Sequence, residues 1–402
     1  MSAFPRQGPA ARLEFAAPRR VRRAAAAAAL LGWTALLFGW SLDPERAFFA
    51  YLGAFVYGIT LALGALALVM MAHAAGAKWF VVVRRLAESV AATLPLFVLL
   101  FVPLLFGLEQ LYPWVPPLDG LEGHARHAVE EKQAYLNVPF FVARGFGYLL
   151  VWSVLAAALW AWSVRQDETP ESAPLARAVA WSGPGLLVFA FTATLAAIDW
   201  VMSLDPGWYS TVFGVYFMVG GMVGALGLLL VAARGLERAG PLAGALAAPH
   251  YHALGRLLLV FVALWAYVAY AQGFLIWIAG LPHEIGWYLT RLDGGWGLVA
   301  LTLVAGHFAL PFALLLSRSF KRSGRRLAVL GVWMLAVHYL DVFWLILPAL
   351  ARPEARAHWL DAPALAAVLG TATLVGLWRL TGHAVLPLHD PRLPQALGYE
   401  SE

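Results

Sequence analysis

Two aspartates and two histidines lie inside long apolar stretches of this chain, where a charge without a partner costs several kcal/mol. They are Asp199, His307, His338 and Asp341. His338 stands three residues before Asp341, so the two side chains share one face of a helix. A histidine beside a carboxylate can take up and release protons near neutral pH. The four residues are therefore candidates for a proton relay.

Each of these residues also has a structural interpretation. Asp199 and Asp341 could form hydrogen bonds or ion pairs between helices, or could contact a polar headgroup in a cavity. His307 and His338 could be core histidines with satisfied hydrogen bonds. They stand at similar depth, as two axial haem ligands do, but no apolar stretch has two histidines about four turns apart, as a two-haem membrane cytochrome needs. We predict neither haem nor a metal ion here.

Polar residues that flank the apolar stretches are candidates for contacts at the outer membrane surface. Arg144 opens the fourth stretch, and Arg291 precedes the eighth with Glu284 and Tyr288 nearby. Arginines on the outer side oppose the usual charge bias, so we expect them to pair with carboxylates. The alternative is a binding or gating role at that surface. Gln272 is predicted to form hydrogen bonds between helices.

The composition is that of a helical membrane protein. Hydrophobic residues make up 61% and charged residues 13% of the 402 residues, against about 45–50% and about 25% in soluble domains. Ten apolar stretches are long enough to cross a bilayer as helices. They cover approximately 24–40, 48–73, 89–108, 140–164, 181–202, 211–233, 255–278, 295–316, 326–347 and 362–380.

The distribution of arginine and lysine predicts the orientation. Most of the 28 basic residues lie at ends that become cytoplasmic if the N-terminus is inside, as the positive-inside rule requires. We therefore expect both termini to be cytoplasmic, with mobile tails at 1–23 and 387–402 and one membrane domain at 24–386. No cleavage site follows the basic region, which favours a retained first span over a signal peptide. The net charge of +5 then reflects lipid headgroups and not nucleic acid.

The absence of cysteine restricts the redox chemistry of the chain itself. Disulfides, thiolate-bound iron–sulfur clusters, thioether-attached haem c and blue-copper sites are excluded. The sequence also has no P-loop, no Gly-x-Ser-x-Gly elbow and no His-Glu-x-x-His motif. Any metal centres that exchange electrons with this chain must belong to partner subunits.

A repeated tetrapeptide divides the chain. Ser-Leu-Asp-Pro occurs at 41–44 and again at 203–206, each time between two apolar stretches. An aspartate followed by proline is a favourable start for a helix, because the carboxylate caps it and proline fits its first position. We expect Asp43 and Asp205 to be chiefly helix caps.

The repeat extends into the apolar stretches. Asp199 and Asp341 stand at the same interval before a proline, so the first, fifth and ninth stretches end alike. Because helices four apart run in the same direction, the halves are related as a parallel repeat. We predict an all-α polytopic fold of ten transmembrane helices, with four-helix bundles at about 48–202 and 211–348 and two peripheral helices.

The run Asp199-Trp200-Val201-Met202-Ser203-Leu204-Asp205-Pro206-Gly207-Trp208-Tyr209-Ser210-Thr211 resembles the signature of a membrane subunit of alternative complex III, the bacterial quinol:cytochrome c oxidoreductase. Weaker matches follow the order of that family along most of the chain. They are Tyr135 to Phe141, Arg144, His252 to Arg256, Trp265 to Tyr267, Gln272, Ile276, Trp277, Trp287, Tyr288, Arg291, Gly295, Trp296, His338, Asp341, Trp344 and Pro348. Ala279, Gly280 and His283 depart from the family pattern.

The resemblance implies the second, shorter polysulfide-reductase-type subunit of that complex, in the bacterial cytoplasmic membrane. It implies a sister quinol-binding membrane subunit, an iron–sulfur subunit and c-type cytochrome subunits as partners, which hold the clusters and the haem c. The main quinol site belongs to the sister subunit, so quinone or quinol is the one non-covalent ligand expected here. The implied proton-handling residues are Asp199, His307, His338 and Asp341. The implied pairing or quinone-contact residues are Arg144, Glu284, Tyr288 and Arg291.

A proton-coupled secondary transporter is the alternative function. It would also explain duplicated bundles and acids inside the membrane. Transporters often have helices broken near the midplane, and the glycine and proline interruptions here are modest. Flux into proteoliposomes by the isolated chain would support transport, whereas copurification with haem c and iron–sulfur subunits would support a redox complex.

Overall fold

The computed structural model describes residues 15–118, 123–169, 171–350 and 356–400. The described chain is helical and contains no β-strand. Ten helices are long and apolar enough to cross a membrane, which confirms the predicted polytopic all-α class. They are α1 (Arg19–Leu42), α2 (Pro44–Ala74), α3 (Lys78–Leu105), α4 (Val138–Glu168), α5 (Ala173–Leu204), α6 (Phe213–Ala239), α7 (Ala248–Ala279), α8 (Gly295–Leu316), α9 (Gly324–Leu350) and α10 (Asp361–Leu380).

Short helices lie outside the membrane-length ones within the described residues. They are Leu108–Leu111, Gly123–Lys132, Pro282–Leu292, Arg318–Lys321 and Leu393–Leu397. The helix Gly123–Lys132 lies in the long polar segment between α3 and α4. Several membrane-length helices also extend beyond the apolar stretches that predict them, since polar side chains at their ends can reach the headgroup region.

The helix α8 is interrupted in its middle. Regular α-helix at Gly295–Leu303 passes into a π-helix at Val304–Ala309 and then into a second α-helical segment, Leu310–Leu316. Pro311 has no N–H to donate to the carbonyl of His307 four residues earlier. The wider turn at Val304–Ala309 is therefore the local response to proline, and it carries His307.

The helices α2 and α6 form the centre of the structure. The first packs against α3, α5, α6, α9 and α10, and the second against α2, α5, α7 and α9. Glycine is required where they cross, because a Cβ atom on Gly64 would lie 2.2 Å from the carbonyl oxygen of Gly221. Such close approach of two backbones is typical of helix pairs in membranes, where packing replaces the hydrophobic effect.

The first and last membrane-length helices pack on each other along most of their length, and α10 also contacts α2 and α3. A buried ion pair fixes this arrangement at one end. Arg46 at the start of α2 donates to Asp361 at the start of α10 over 2.6 Å, and both side chains are at most 10% exposed. Leaving either charge without its partner would be strongly unfavourable.

The segment after α10 is packed and not a mobile tail. Asp390 is buried and forms an ion pair with Arg84 of α3. The ring of His250 at the start of α7 forms a hydrogen bond of 2.8 Å with the carbonyl of Ala396. The prediction of mobility was therefore wrong for residues 387–400, because a charge in the tail has a buried partner that sequence alone does not reveal. At the other end of the chain α1 begins at Arg19, inside the predicted N-terminal tail.

The two Ser-Leu-Asp-Pro copies differ in structure. Asp43 accepts a hydrogen bond of 3.1 Å from the backbone N–H of Arg46 and caps α2, as predicted. Asp205 accepts instead from the backbone N–H of Gly207 at 3.2 Å, and α6 begins several residues later. The second copy thus closes a turn and does not cap a helix.

Candidate functional site

Three of the predicted proton-relay residues meet in the second half of the chain. One ligand atom each from His307 of α8 and from His338 and Asp341 of α9 lies within 4.8 Å of the others. All three side chains are buried. Tyr216 of α6 and Trp265 of α7 adjoin them. We refer to Tyr216, Trp265, His307, His338 and Asp341 as the Asp341 cluster.

The carboxyl group of Asp341 is held by neutral donors. The hydroxyl of Tyr216 donates to Oδ1, and the indole Nε1 of Trp265 donates to Oδ2 over 3.2 Å. No lysine or arginine among the described residues forms an ion pair with it. The carboxyl group therefore lies inside a helix bundle without the fixed countercharge that a structural aspartate in a membrane usually has.

Thr60 of α2 determines the tautomer of His338. The Thr60 hydroxyl lies 2.9 Å from Nε2 of His338 and also donates its hydrogen to the carbonyl of Tyr57 over 2.9 Å. Because a hydroxyl has one hydrogen, Nε2 must be the donor in the contact with Thr60. The other ring nitrogen, Nδ1, then carries a lone pair and has no partner among the described residues.

His307 is open on both ring nitrogens. Neither Nδ1 nor Nε2 has a hydrogen-bond partner in the described part of the chain, although the side chain is fully buried. Its ring stacks on that of Trp265 with centroids 3.9 Å apart. Buried polar atoms without protein partners are uncommon and mark positions where water or a transferred proton is accommodated. Short π-helical turns like the one that carries His307 also occur frequently at functional sites.

Glycines of α6 make room for the Asp341 cluster. A Cβ atom on Gly224 would lie 2.6 Å from Cδ2 of His338, and one on Gly220 would lie 3.4 Å from Cε1 of the same ring. Gly221 of the same helix allows close packing on α2, because a Cβ atom there would lie 2.6 Å from the carbonyl oxygen of Thr60. Gly224 has the further role of admitting an imidazole ring.

Two histidines and a carboxylate also have the composition of a metal site, which the sequence analysis did not predict. Both oxygens of Asp341 already accept hydrogen bonds from Tyr216 and Trp265. The atoms left open are ring nitrogens alone, Nδ1 of His338 and both nitrogens of His307. This pattern suits a proton or a hydrogen-bonded water better than a cation that requires the carboxylate.

A cavity of about 900 Å³ adjoins the Asp341 cluster. It lies between α7, α8 and the helix Pro282–Leu292, and its walls are mostly aliphatic and aromatic. Tyr216 and Trp265 line it at one side and donate hydrogen bonds to Asp341 behind them. At its rim the side chains of Tyr267 and Trp277 are exposed. The cavity therefore leads from the lateral surface of the protein to the cluster.

The few polar groups in this cavity are connected by hydrogen bonds. Gln272 accepts a hydrogen bond of 2.8 Å from Ser210 and donates one of 3.1 Å to the hydroxyl of Tyr288. These contacts confirm the predicted role of Gln272 between helices. They also bring Tyr288, one of the predicted outer-face residues, to the wall of the cavity.

Asp199 has a different environment from Asp341. Arg144 of α4 binds both of its oxygens, with Nε 2.8 Å from Oδ2 and Nη2 2.9 Å from Oδ1. Tyr148 donates a further hydrogen bond of 3.0 Å. Of the alternatives for Asp199, the structure thus shows the interhelical ion pair, and it gives Arg144 the carboxylate partner that was predicted. Bidentate pairs of this kind are among the strongest polar contacts in proteins.

The other predicted outer-face pairs do not form in the described structure. Arg291 donates to the carbonyls of Leu345 at 2.8 Å and Trp287 at 3.2 Å, and its guanidinium lies 3.7 Å from the centroid of the Trp287 ring. Burial lowers the pKa of Arg291 to about 9, although Asp205 acts in the opposite direction. Glu284 is half-buried and has no ion pair among the described residues. An aromatic ring and carbonyl groups replace the expected carboxylate at Arg291.

A second buried ionic cluster, which was not predicted, lies at the opposite end of the helices. Glu88 of α3 contacts Arg84 and Arg85 at 3.1 Å and 3.4 Å and accepts a hydrogen bond from Ser163 of α4. Arg85 also binds Asp167 at 2.8 Å. The spacing of Arg84 and Glu88 on one helix face, directly before the apolar stretch 89–108, was the available signal.

No model of a known protein family matches the chain, and no curated protein matches it.

Proposed function

We propose that this chain is the second, shorter membrane subunit of a quinol-oxidising complex of the alternative complex III type, and that it conducts protons through the Asp341 cluster. One observation carries the proposal. Asp341 is buried between neutral hydrogen-bond donors, next to two histidines whose ring nitrogens are open. A carboxyl group that no fixed cation neutralises can change its protonation state, as a relay requires.

Protons pass through the cluster by way of Asp341 and the two imidazole rings. Nδ1 of His338 carries the lone pair that accepts a proton, because Nε2 is the donor to Thr60. Both nitrogens of His307 are open, and one of them lies within 4.8 Å of a ligand atom of each of the other two residues. One water molecule bridges gaps of this size, so each transfer needs only small movements.

The adjoining cavity fits the headgroup and the apolar chain of a quinol. Its volume is about 900 Å³, within the usual range for small-molecule sites. Tyr288 and Gln272 would hold the headgroup by hydrogen bonds, and the aromatic and aliphatic walls would cover the apolar chain. A quinol supplies two electrons and two protons when it is oxidised. Tyr216 and Trp265 separate the cavity from Asp341 and keep its carboxyl group oriented.

The electrons would leave by way of other subunits. The chain has no cysteine and therefore no thiolate ligands for clusters or attachment site for haem c. The proposed partners are a sister quinol-binding membrane subunit, an iron–sulfur subunit and c-type cytochrome subunits. The run Asp199 to Thr211, with the matches that follow it in order, supports this assignment.

We further propose that the membrane domain consists of two related four-helix bundles, α2–α5 and α6–α9. Contacts between α2 and α3, α3 and α4, and α4 and α5 support the first bundle, and corresponding contacts from α6 to α9 support the second. The charge distribution supports cytoplasmic termini in the bacterial inner membrane. In this arrangement Asp199 and Asp341 occupy equivalent positions, one neutralised by arginine and the other not.

Purification from native membranes in mild detergent tests the assignment. The expected result is one complex that contains this chain, haem c in its visible spectrum and iron–sulfur signals in electron paramagnetic resonance. The complex should reduce cytochrome c with quinol. A chain that purifies alone, without these centres, would contradict the proposal.

A proton-coupled transporter remains the second candidate, because one observation favours it. The helix α8 is broken by its π-helical turn beside the large cavity, and transporters place substrates at such breaks. Reconstitution of the purified chain in proteoliposomes separates the two functions. Substrate-driven proton uptake by the chain alone would support transport and exclude the subunit role.

A further inference from the structure

A second groove lies between α8 and α9, away from the cavity described above. Its volume is about 550 Å³. Leu310 and Leu314 of α8 form one wall, and Val329, Leu330 and Trp333 of α9 form the other wall and the floor. Trp333 donates a hydrogen bond of 2.8 Å to the carbonyl of Gly306, which ties the floor of the groove to the π-helical turn.

The groove ends among positive charges. Arg325 and Arg326, in the first turn of α9, line its mouth together with Ser323. Both arginines are exposed, and neither forms an ion pair among the described residues. The first turn of α9 also contains no acidic residue, although a helix N-terminus favours negative charge. The mouth of the groove therefore carries positive charge that no acidic side chain of the described residues balances.

Neighbouring residues increase this excess of positive charge. Arg318, Lys321 and Arg322 lie in or next to the short helix that connects α8 and α9. Burial, followed by repulsion from Arg256, lowers the pKa of Lys321. The described residues provide no carboxylate within ion-pair distance of any of these connecting residues. A ligand that fits the groove must then bring its own negative charge.

We infer that this groove binds one anionic phospholipid. The phosphate and headgroup would lie between Arg325 and Arg326, and an acyl chain would follow the apolar walls between α8 and α9. Basic pockets between membrane-spanning helices recognise anionic headgroups in this way. The apolar side chains explain why the ligand is a lipid and not a free phosphate, since Val329 is 67% exposed on a membrane-length helix.

Lipid titration of the purified full chain tests the inference by native mass spectrometry. The probes are phosphatidylglycerol and phosphatidylcholine with identical acyl chains, added to protein delipidated in neutral detergent. We expect one phosphatidylglycerol to bind at least tenfold more tightly than phosphatidylcholine. The double variant Arg325→Gln/Arg326→Gln should lose this preference, and Arg325→Lys/Arg326→Lys should keep most of it.

A matched control distinguishes lipid binding in this groove from a general effect of positive charge on the protein. Arg19 and Arg20 are exposed basic residues in the first turn of α1, at the same end of the helices. The variant Arg19→Gln/Arg20→Gln removes the same charge and should leave the preference within twofold of the wild-type value. Equal affinity for both lipids in the wild-type chain, or an equal loss in both double variants, would overturn the inference.

Cross-linking identifies the occupant of the groove in native membranes. The chain has no cysteine, so Val329→Cys provides a single position for a photoreactive maleimide. The expected product is an adduct with the mass of one phospholipid. An adduct with another protein subunit would assign the groove to a partner helix and would exclude the lipid site. This experiment is independent of the redox role proposed above.

Discussion

The hydroxyl of Thr60 in α2 forms a hydrogen bond of 2.9 Å with Nε2 of His338 in α9. Because the hydroxyl donates its own hydrogen to the carbonyl of Tyr57, it can only accept from the imidazole. A residue in the first half of the chain thus determines which nitrogen of a histidine in the second half is open.

Replacement of Thr60 tests this relationship. Thr60→Val keeps the shape of the side chain and removes the acceptor for Nε2. Without it the ring can adopt either tautomer, and we expect quinol-dependent turnover to fall several-fold with a changed pH profile. Thr60→Ser retains the hydroxyl and should behave like the wild type. An unchanged pH profile in an assembled Thr60→Val complex would contradict the assigned tautomer.

Asp341→Asn removes the proposed proton carrier and preserves the size of the side chain. The loss of a positioned acid or base typically slows a reaction about 100-fold or more, so we expect at least a tenfold fall in cytochrome c reduction. Assembly should persist, because the amide oxygen can accept the hydrogen bond from Trp265 while the amide NH2 group donates to the hydroxyl of Tyr216. Full turnover in an assembled Asp341→Asn complex would exclude the relay.

The equivalent change in the first half should affect stability first. Asp199→Asn leaves Arg144 as a buried charge without a partner, at a cost of about 3–5 kcal/mol. We expect a lower thermal midpoint and poor assembly. The double variant Arg144→Met/Asp199→Leu removes both charges and should recover much of that loss. Should Asp199→Asn alone be as stable as the wild type, the ion pair would not be structural.

Gly224 offers a steric test with a control on the same helix. Gly224→Ala places a methyl group 2.6 Å from the His338 ring, and overpacking of this kind costs about 1–3 kcal/mol. We expect the ring to be displaced and turnover to fall. Gly235 of α6 has no atom within 4 Å of its Cβ position. Gly235→Ala should therefore leave turnover unchanged and stabilise the helix by up to about 1 kcal/mol. Equal effects in both variants would contradict the steric explanation.

The packed C-terminal segment should detach in acid. Burial alone would raise the pKa of Asp390, but Arg84 and Arg392 outweigh it and hold that pKa below its usual range. A lowered pKa in the folded state means that Asp390 stabilises the packed segment above its ordinary pKa of about 4. That contribution is lost as the pH falls through the lowered value.

Hydrogen exchange of residues 382–400 measures this detachment. Protection should be high at neutral pH and should decrease below about pH 4. Asp390→Asn should show the low protection already at neutral pH, because the charge is absent at every pH. If protection in the wild type were independent of pH down to the acid denaturation of the whole chain, the ion pair would not hold the segment.

The sequence predicts the membrane-length helices well, because the length and hydrophobicity of each apolar stretch are enough to identify a membrane span. It also predicts the juxtaposition of His338 and Asp341, since residues three apart share a helix face. Contacts between distant helices are beyond this kind of local argument. The partner of Asp199 could be given only as an alternative, and Thr60 and Tyr216 carry no local signal at all.

The corrections have the same physical origin. In the sequence Asp390 belongs to a polar tail. Only the structure shows that it pairs with Arg84, more than three hundred positions earlier. Arg291 was expected to pair with a carboxylate, but a tryptophan ring and two carbonyls bind its guanidinium instead. Local sequence patterns predict the kind of environment that a residue needs. The partner that provides this environment is determined by the tertiary structure.

The π-helical turn in α8 has a consequence for insertions and deletions. Such a turn holds one residue more than the α-helical turn that it replaces, and each residue rotates an α-helix by about 100°. Deleting one residue within Val304–Ala309 would restore regular helix and leave Gly295–Leu303 and Leu310–Leu316 near their present relative orientation, but it would remove the wide turn that carries His307. The position of His307 beside Asp341 thus depends on the number of residues in this segment. Loss of a single codon would convert α8 into a regular membrane span that no longer supplies an imidazole to the bundle.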